Sequence, residues 1–431
     1  MGVESILVLI LVFVLLLSLR VAIAFSIGLA TLATILINVD TLPAITTLAQ
    51  RMATGLDSFT LLAIPFFILA GQLMNQGGIA KKLINFAKVL VGTLPGGLAY
   101  VNVIAAMLFG AISGSAVAAA SAIGGIMDPQ MKNEGYEPEF GAAINITSST
   151  TGLLIPPSNV LIVYSLASGG VSIAALFLAG YLPGILVGLS LMVTSGYIAF
   201  RKKYKVASRV PLKTALFRFF DAIPSLFLIF IVIGGIIAGI FTATEAAAVA
   251  VLYALILSFI YKEIDLKKIP DILLEAAKTT AIVMLLIATS VAMSWVLSFE
   301  NIPQAISEGL LSMVESGVAI LLIMNLILLF IGAFIDITPA ILIFTPIFLP
   351  VAMELGIDPV HFGIIIVFNL TVGLCTPPVG TVLFVGCSVA DVPITKVIKP
   401  MMPLFIIMIL SLLLITFVPE ISLFIPNLFG Y

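Results

Sequence analysis

Two stretches of this chain carry most of the side chains that could do chemistry, and each is built around a double proline. One reads NITSSTTGLLIPPSN, from Asn145 to Asn159; the other reads NLTVGLCTPPVGT, from Asn369 to Thr381. Adjacent prolines remove two amide donors and stop any helix running through them. Each stretch therefore frees backbone carbonyls, around Gly152 in the first and around Gly373, Thr376 and Gly380 in the second. Beside them stand the amides of Asn145 and Asn369 and the hydroxyls of Ser148 and Ser158. Neutral oxygens of this kind suit a weakly hydrated monovalent cation such as Na+, and carboxylates are too few for a strong divalent site. Serine, threonine and glycine also pack transmembrane helices together, so no single hydroxyl identifies a site. The clustering does.

Two further polar interruptions fall inside apolar runs: Ser113, Gly114 and Ser115 in one, Asp336, Thr338 and Pro339 in the other. A carboxylate such as Asp336 is costly inside a membrane and therefore usually functional. Coupling-ion or gating work is open to it, and so is capping of a helix that starts near Thr338. Basic side chains are almost absent from the apolar runs, so no arginine clamp for an anion is visible. An anionic ligand would have to be held by hairpin amides and helix N-termini, with bound Na+ adding attraction. This places it where the two interruptions meet, beside Ser113, Ser115 and Thr338.

Other residues read more plainly. His361 is the only histidine and nothing nearby pairs with it to make a relay, so a structural or surface role is expected. Thr242 and Glu245 have the spacing of a capping box, and Trp295 reads as an interfacial anchor. Lys81–Gly92 has apolar residues three or four apart with lysines on the other face, which predicts a helix along the inner surface. The glycine-rich pieces lie inside apolar runs and are no phosphate cradle, so neither ATP drive nor a nucleic-acid partner is expected. Ser113 has no base to activate it. An intramembrane enzyme is thus a remote alternative, with no catalytic residue and no cofactor beyond Na+ as coupling ion.

The elements that must position these residues are membrane helices. Of the 431 residues, 61% are hydrophobic and 9% charged, against roughly 25% charged in a soluble domain; the mean hydropathy is +1.29. The solvent is a lipid bilayer. A helix needs about 20 apolar residues to cross it, which predicts spans near 4–19, 21–38, 58–77, 139–168, 172–200, 221–239, 242–260, 276–297, 361–388 and 401–424. Two longer runs, 98–127 and 317–354, hold the polar interruptions. The arms of 98–127 are too short to cross, which predicts a re-entrant hairpin; 317–354 fits either a hairpin or two spans. Lysines and arginines place segment 201–220 in the cytoplasm, and of the 19 basic residues only Arg51 then falls on the outer side. This threading predicts a multi-pass protein of the inner membrane with both termini outside.

The two halves also repeat each other. GYEPEFG (Gly135–Gly141) meets GIDPVHFG (Gly356–Gly363), and MLFGAISGSAVAAAS (Met107–Ser121) meets LLFIGAFIDITPAILIF (Leu328–Phe344). Residues 1–200 form a first repeat, with hairpin 98–127 and broken helix 139–168. Residues 201–220 form a basic connector, and 221–431 a second repeat with hairpin 317–354 and broken helix 361–388. An odd number of crossings per half inverts the second copy, the architecture of many secondary transporters. The expected fold is all-α and polytopic, with two re-entrant hairpins, two broken helices and an inverted-topology repeat.

The chain resembles the large membrane subunit, DctM-like, of tripartite ATP-independent periplasmic (TRAP) transporters. The resemblance spans nearly its whole length, through AIPFFILAGQLM (Ala63–Met74), GAISGSAVA (Gly110–Ala118), LLIPPSN (Leu153–Asn159), TATEAAAV (Thr242–Val249), IGAFIDITPA (Ile331–Ala340) and GLCTPPVGT (Gly373–Thr381). It implies an elevator mechanism and Na+-driven import of small organic anions, often dicarboxylates or sugar acids. It also implies two partners as separate chains, a small four-helix membrane subunit and a periplasmic substrate-binding protein. Matched by position, Ser113, Ser115, Asn145, Ser148, Gly152 and Ser158 belong to one half-site. Asp336, Thr338, Asn369, Gly373, Thr376 and Gly380 belong to the other. A proton-coupled transporter, or one needing no binding protein, is the alternative.

Overall fold

The computed structural model describes residues 2–204, 211–313 and 316–431. Lys205 and Arg209 of the basic connector lie outside the described residues. The described chain is helical, with no strand. Among the described residues seven helical stretches are long and apolar enough to cross a membrane by length and composition.

The first half runs α1 (Gly2–Ser18), α2 (Ile23–Ile35), α3 (Thr41–Leu56), a 3-10 turn at Phe59–Leu62, α4 (Ala63–Gln76) and α5 (Ile79–Val91). It continues with α6 (Gly97–Ser113), α7 (Ala116–Asn133), α8 (Pro138–Ser149), α9 (Asn159–Ala167) and α10 (Ile173–Arg201). The second half runs α11 (Leu212–Ile237), α12 (Ala243–Ile260), α13 (Ile269–Phe299), α14 (Ile302–Met313), α15 (Gly317–Gly332) and α16 (Ile337–Glu354). It ends with α17 (Pro359–Gly373), α18 (Thr381–Ala390), α19 (Ile394–Phe417) and α20 (Glu420–Leu428).

Both polar interruptions are hairpin tips, between α6 and α7 and between α15 and α16, and both double prolines break a helix, α8 from α9 and α17 from α18. The bond between the prolines is cis in each. Around these breaks the packing repeats. A Cβ added at Gly110 of α6 would stand 2.5 Å from the Gly152 Cα, and one at Gly332 of α15 would stand 3.1 Å from the Gly373 Cα. Only glycine lets each hairpin arm lie so close to its broken helix. An outer group, in which α4 packs on α12 and α2 on α13, flanks the hairpins and broken helices.

Several boundaries differ from the sequence expectation. α3 appears where no span was foreseen: TLPAITTLAQRMATGL is short and mixed in polarity, so a 20-residue apolar window passes over it. α11 begins at Leu212 and α13 at Ile269, both ahead of the expected spans, because charged first turns fail a hydropathy threshold yet propagate a helix well. The last span ends at Phe417 rather than 424, before Pro419, and α20 follows as a separate helix packed on α10. α5 is the helix expected at Lys81–Gly92, but its apolar face is covered by protein. Ile79, Leu83, Ile84, Phe86 and Ala87 are buried, and α5 packs on α6 and α11. Two of its three lysines are tied down as well: Lys82 pairs with Asp221 at 2.5 Å and Lys88 donates to the Gln130 Oε1 at 2.5 Å.

Two smaller expectations are met. Thr242 and Glu245 form the capping box of α12, each side chain bonded to the other's backbone N–H. His361 is buried in α17, its Nε2 3.3 Å from the Thr416 carbonyl, which is a structural placement.

Candidate functional site

The two hairpin tips, distant in sequence, meet at one cavity of about 250 Å³. Ser113, Gly114 and Ser115 line it from the first tip, Asp336, Ile337 and Thr338 from the second, and Asn159 and Val160 from the start of α9. The opposite wall comes from Gly71, Gln72 and Asn75 of α4 and Thr279 and Val283 of α13. Among the described residues no lysine, arginine or histidine lines the cavity.

Backbone geometry sets the tips in place. Gly114 takes φ +61, the left-handed turn that ends α6 and reverses the chain, and any Cβ there would stand 3.1 Å from the Asn159 Nδ2. The Ser115 Oγ accepts from the Ala118 N–H at 3.2 Å and caps α7. Asp336 occupies the N-cap position of α16 without a side-chain capping bond; the Thr381 Oγ1 lies 3.5 Å from its Oδ1. On the far side the Val379 and Gly380 amides donate to the Ala333 carbonyl at 3.3 and 3.4 Å, fastening the second tip to the break between α17 and α18.

The N-termini of α7, α9 and α16 therefore converge on one space. Each carries unpaired amides and roughly half a positive charge, so together they favour an anion although no cationic side chain is present. Asp336 opposes this with a negative charge of its own. A cation or a proton beside it would remove the conflict.

The remaining sequence candidates sit behind the tips and do not line the cavity. Asn145 is fully buried, donates its Nδ2 to the Ala120 carbonyl at 2.8 Å, and leaves its Oδ1 without a partner. Asn369 repeats the arrangement: its Nδ2 donates to the Asn325 Oδ1 and its own Oδ1 has no partner. Buried oxygens without a donor are rare and call for an explanation, and an alkali cation is a fitting one. Ser148 reaches the Asn145 carbonyl at 3.3 Å and the Asn102 Oδ1 at 3.4 Å. The Ser158 Oγ donates to the Leu153 carbonyl at 2.6 Å, and the Thr376 Oγ1 to the Val372 carbonyl at 3.1 Å. Gly152 and Gly373 serve the close packing described above, and Gly380 (φ +41) turns the chain into α18. Among the described residues no group of three or more His, Cys, Asp or Glu side chains gathers to hold a metal.

Gln72, Asn75 and Thr279 of the cavity wall escaped sequence reading. A signal existed: Gln72 and Asn75 are three apart inside an apolar helix, so they share a face, and polar side chains within a span tend to look inward.

Residues 9–421 match the family described as "Tripartite ATP-independent periplasmic transporter, DctM component". The chain is 58% identical to the uncharacterized protein YgiK of Salmonella typhimurium, over 99% of this chain and 98% of that one. It is 41% identical to the C4-dicarboxylate TRAP transporter large permease protein DctM of Rhodobacter capsulatus, over 94% and 95% of the two chains. Its fold is similar to the crystal structure of the Alcanivorax borkumensis YdaH transporter, with a TM-score of 0.65 at 15% identity over 89% and 90% of the chains.

Proposed function

The chain belongs to the DctM component family of TRAP transporters, whose members are large permease subunits for organic acids, and we propose that it imports a small carboxylic acid by Na+ symport. One observation carries the substrate class: three helix N-termini face a cavity that has hydroxyls and amides but no basic side chain. That set holds a carboxylate by backbone amides and Ser113, Ser115 and Thr338. Relatives are named for C4-dicarboxylates, sialic acid, 2,3-diketo-L-gulonate and isethionate, all organic anions.

Na+ enters through three features. Asp336 needs a counter-charge where an anion binds, and the unpartnered Oδ1 atoms of Asn145 and Asn369 stand one behind each tip. Ser115, Ser148, Gly152 and Ser158 on one side and Gly373, Thr376 and Gly380 on the other would supply further oxygens. Sodium bound there would hold the tips closed and offset the charge of the acid, which couples the two gradients. A small membrane subunit and a periplasmic substrate-binding protein would complete the system in the inner membrane. We place both ends of the chain on the periplasmic side, with residues 1–200 and 221–431 as inverted halves joined by 201–220. Lys81, Lys82 and Lys278 flank the cavity-lining parts of α4 and α13, so in this orientation the cavity faces the cytoplasm and the state is inward-facing. Outward-to-inward passage would be an elevator movement of the hairpins and broken helices along the outer group.

Reconstituting the large and small subunits in liposomes with the binding protein outside tests the reading. A panel of labelled carboxylic acids should give concentrative uptake of at least one, and none without the binding protein. Uptake confined to uncharged sugars or neutral amino acids would refute the carboxylate assignment.

A further inference from the structure

A second cavity, of about 340 Å³, lies where α3 and α13 face α9 and α16. Its lining includes Arg51 and Thr54 of α3 and Ser290, Ser294, Trp295 and Ser298 of α13. The Arg51 guanidinium sits 4.9 Å from the centre of the Trp295 ring. Ser290 is 1% exposed and its Oγ has no hydrogen-bond partner.

This wall repeats the wall of the first cavity. Matching the starts of α5 and α14, Ile79 and Ile302, gives an offset of 223 (302 minus 79). The same offset carries Gly71, Gln72 and Asn75 onto Ser294, Trp295 and Ser298 (71, 72 and 75 plus 223). The same helices also run from one cavity to the other. α9 lends Asn159 and Val160 to the first and Leu166 and Ala167 to the second; α16 lends Ile337 and Thr338, then Leu342 and Pro346. Along α13, Val283 of the first cavity and Ser294 of the second are separated by about 16 Å at 1.5 Å per residue.

We propose that the second cavity is the extracytoplasmic receiving site for the organic anion, with Arg51 drawing in its negative group and Ser290, Ser294 and Ser298 donating to it. This rests on the import reading above. In the present state the first hairpin tip abuts α4: a Cβ at Gly71 would stand 2.9 Å from the Ser113 carbonyl oxygen. Exchanging the roles of the two halves brings the second tip against the matching residue, Ser294. Ser113, three residues after Gly110, corresponds to Ile335, three after Gly332. The outward-facing state thus docks the Ile335 region on Ser294, and the anion passes from Arg51 to the helix N-termini at the tips.

Two measurements on the full chain with its small partner, Cys375 and Cys387 replaced by alanine, test this. In the first, Ser298→Cys is modified from outside by 2-sulfonatoethyl methanethiosulfonate, a small organic anion, and by its trimethylammonioethyl counterpart. The ratio of the two rates cancels the thiol's own reactivity. Arg51→Gln should lower the anion-to-cation ratio by at least about fivefold, since about 1 kcal/mol between charges near water acts on each reagent with opposite sign, and Arg51→Lys should largely keep it. An unchanged ratio in Arg51→Gln overturns the anion site, whatever uptake shows, because no transport is needed for this readout. In the second, Ser294→Cys with Ile335→Cys should cross-link with a short bifunctional maleimide and arrest uptake. Absence of the cross-link during turnover overturns the docking. Failure of concentrative uptake by the unmodified protein would instead strike the import reading alone.

Discussion

Asp336 is the residue at which the chemistry is most exposed to test. It lines the tip cavity at the start of α16, has no basic neighbour there, and is met by the Thr381 hydroxyl at 3.5 Å. If its charge binds the coupling ion, Asp336→Asn keeps the shape and removes the ligand. Uptake should fall by at least about tenfold, equivalent to about 1.4 kcal/mol, while the folded yield by size-exclusion chromatography is unchanged; uptake at the parent rate would remove Asp336 from the ion site. Asp336, Ser113, Ser115 and Thr338 were legible in the sequence because each interrupts an apolar run where a polar group is costly. Asn159, beside the first double proline, shares the same cavity with Gln72, Asn75 and Thr279, whose one mark in the sequence is the three-residue spacing of Gln72 and Asn75. Three stand on other helices, and only the packing of α4 and α13 against the tips brings them in.

At the scale of elements, the close contacts of hairpin arm and broken helix decide whether the site forms. Gly152→Val would thrust a branched side chain into the Gly110 backbone and should cost about 1–3 kcal/mol or more. Gly125→Ala, on the neighbouring α7, meets nothing within 4 Å and should be neutral or slightly stabilising. Thermal melts in detergent would separate them; equal melting temperatures would contradict the account of the glycine contact. Thr242→Ala removes the N-cap bond of α12 and should destabilise by about 1 kcal/mol, with little further loss when Glu245→Gln is added, since the two act as one box. The breaks, tips and capping box could be read in advance because proline, glycine and the T-x-x-E spacing act locally. α3 and α20 could not: their polarity is mixed, and tertiary contacts with α13 and α10 hold them.

At the scale of the whole molecule, a hairpin from each half places its tip at one cavity, and the proposed inversion sets the two entering from opposite sides. Single cysteines at the ends of hairpin 98–127 should then label only from the cytoplasm, and those at the ends of hairpin 317–354 only from outside. Labelling of both from one side would contradict the inverted arrangement. The lysine and arginine distribution carries the proposed sidedness, whereas the second cavity could not be read in advance, because it forms only where α3 and α13 meet α9 and α16. What joins these scales is coupling: two unpartnered amide oxygens, one carboxylate and a basic-free anion cavity work as a unit if Na+ completes them. The direct measurement is uptake of the transported acid in proteoliposomes with external Na+ replaced by K+ at fixed pH and membrane potential. The account predicts that concentrative uptake stops and returns when Na+ is restored; uptake continuing at the same rate in K+ would contradict it.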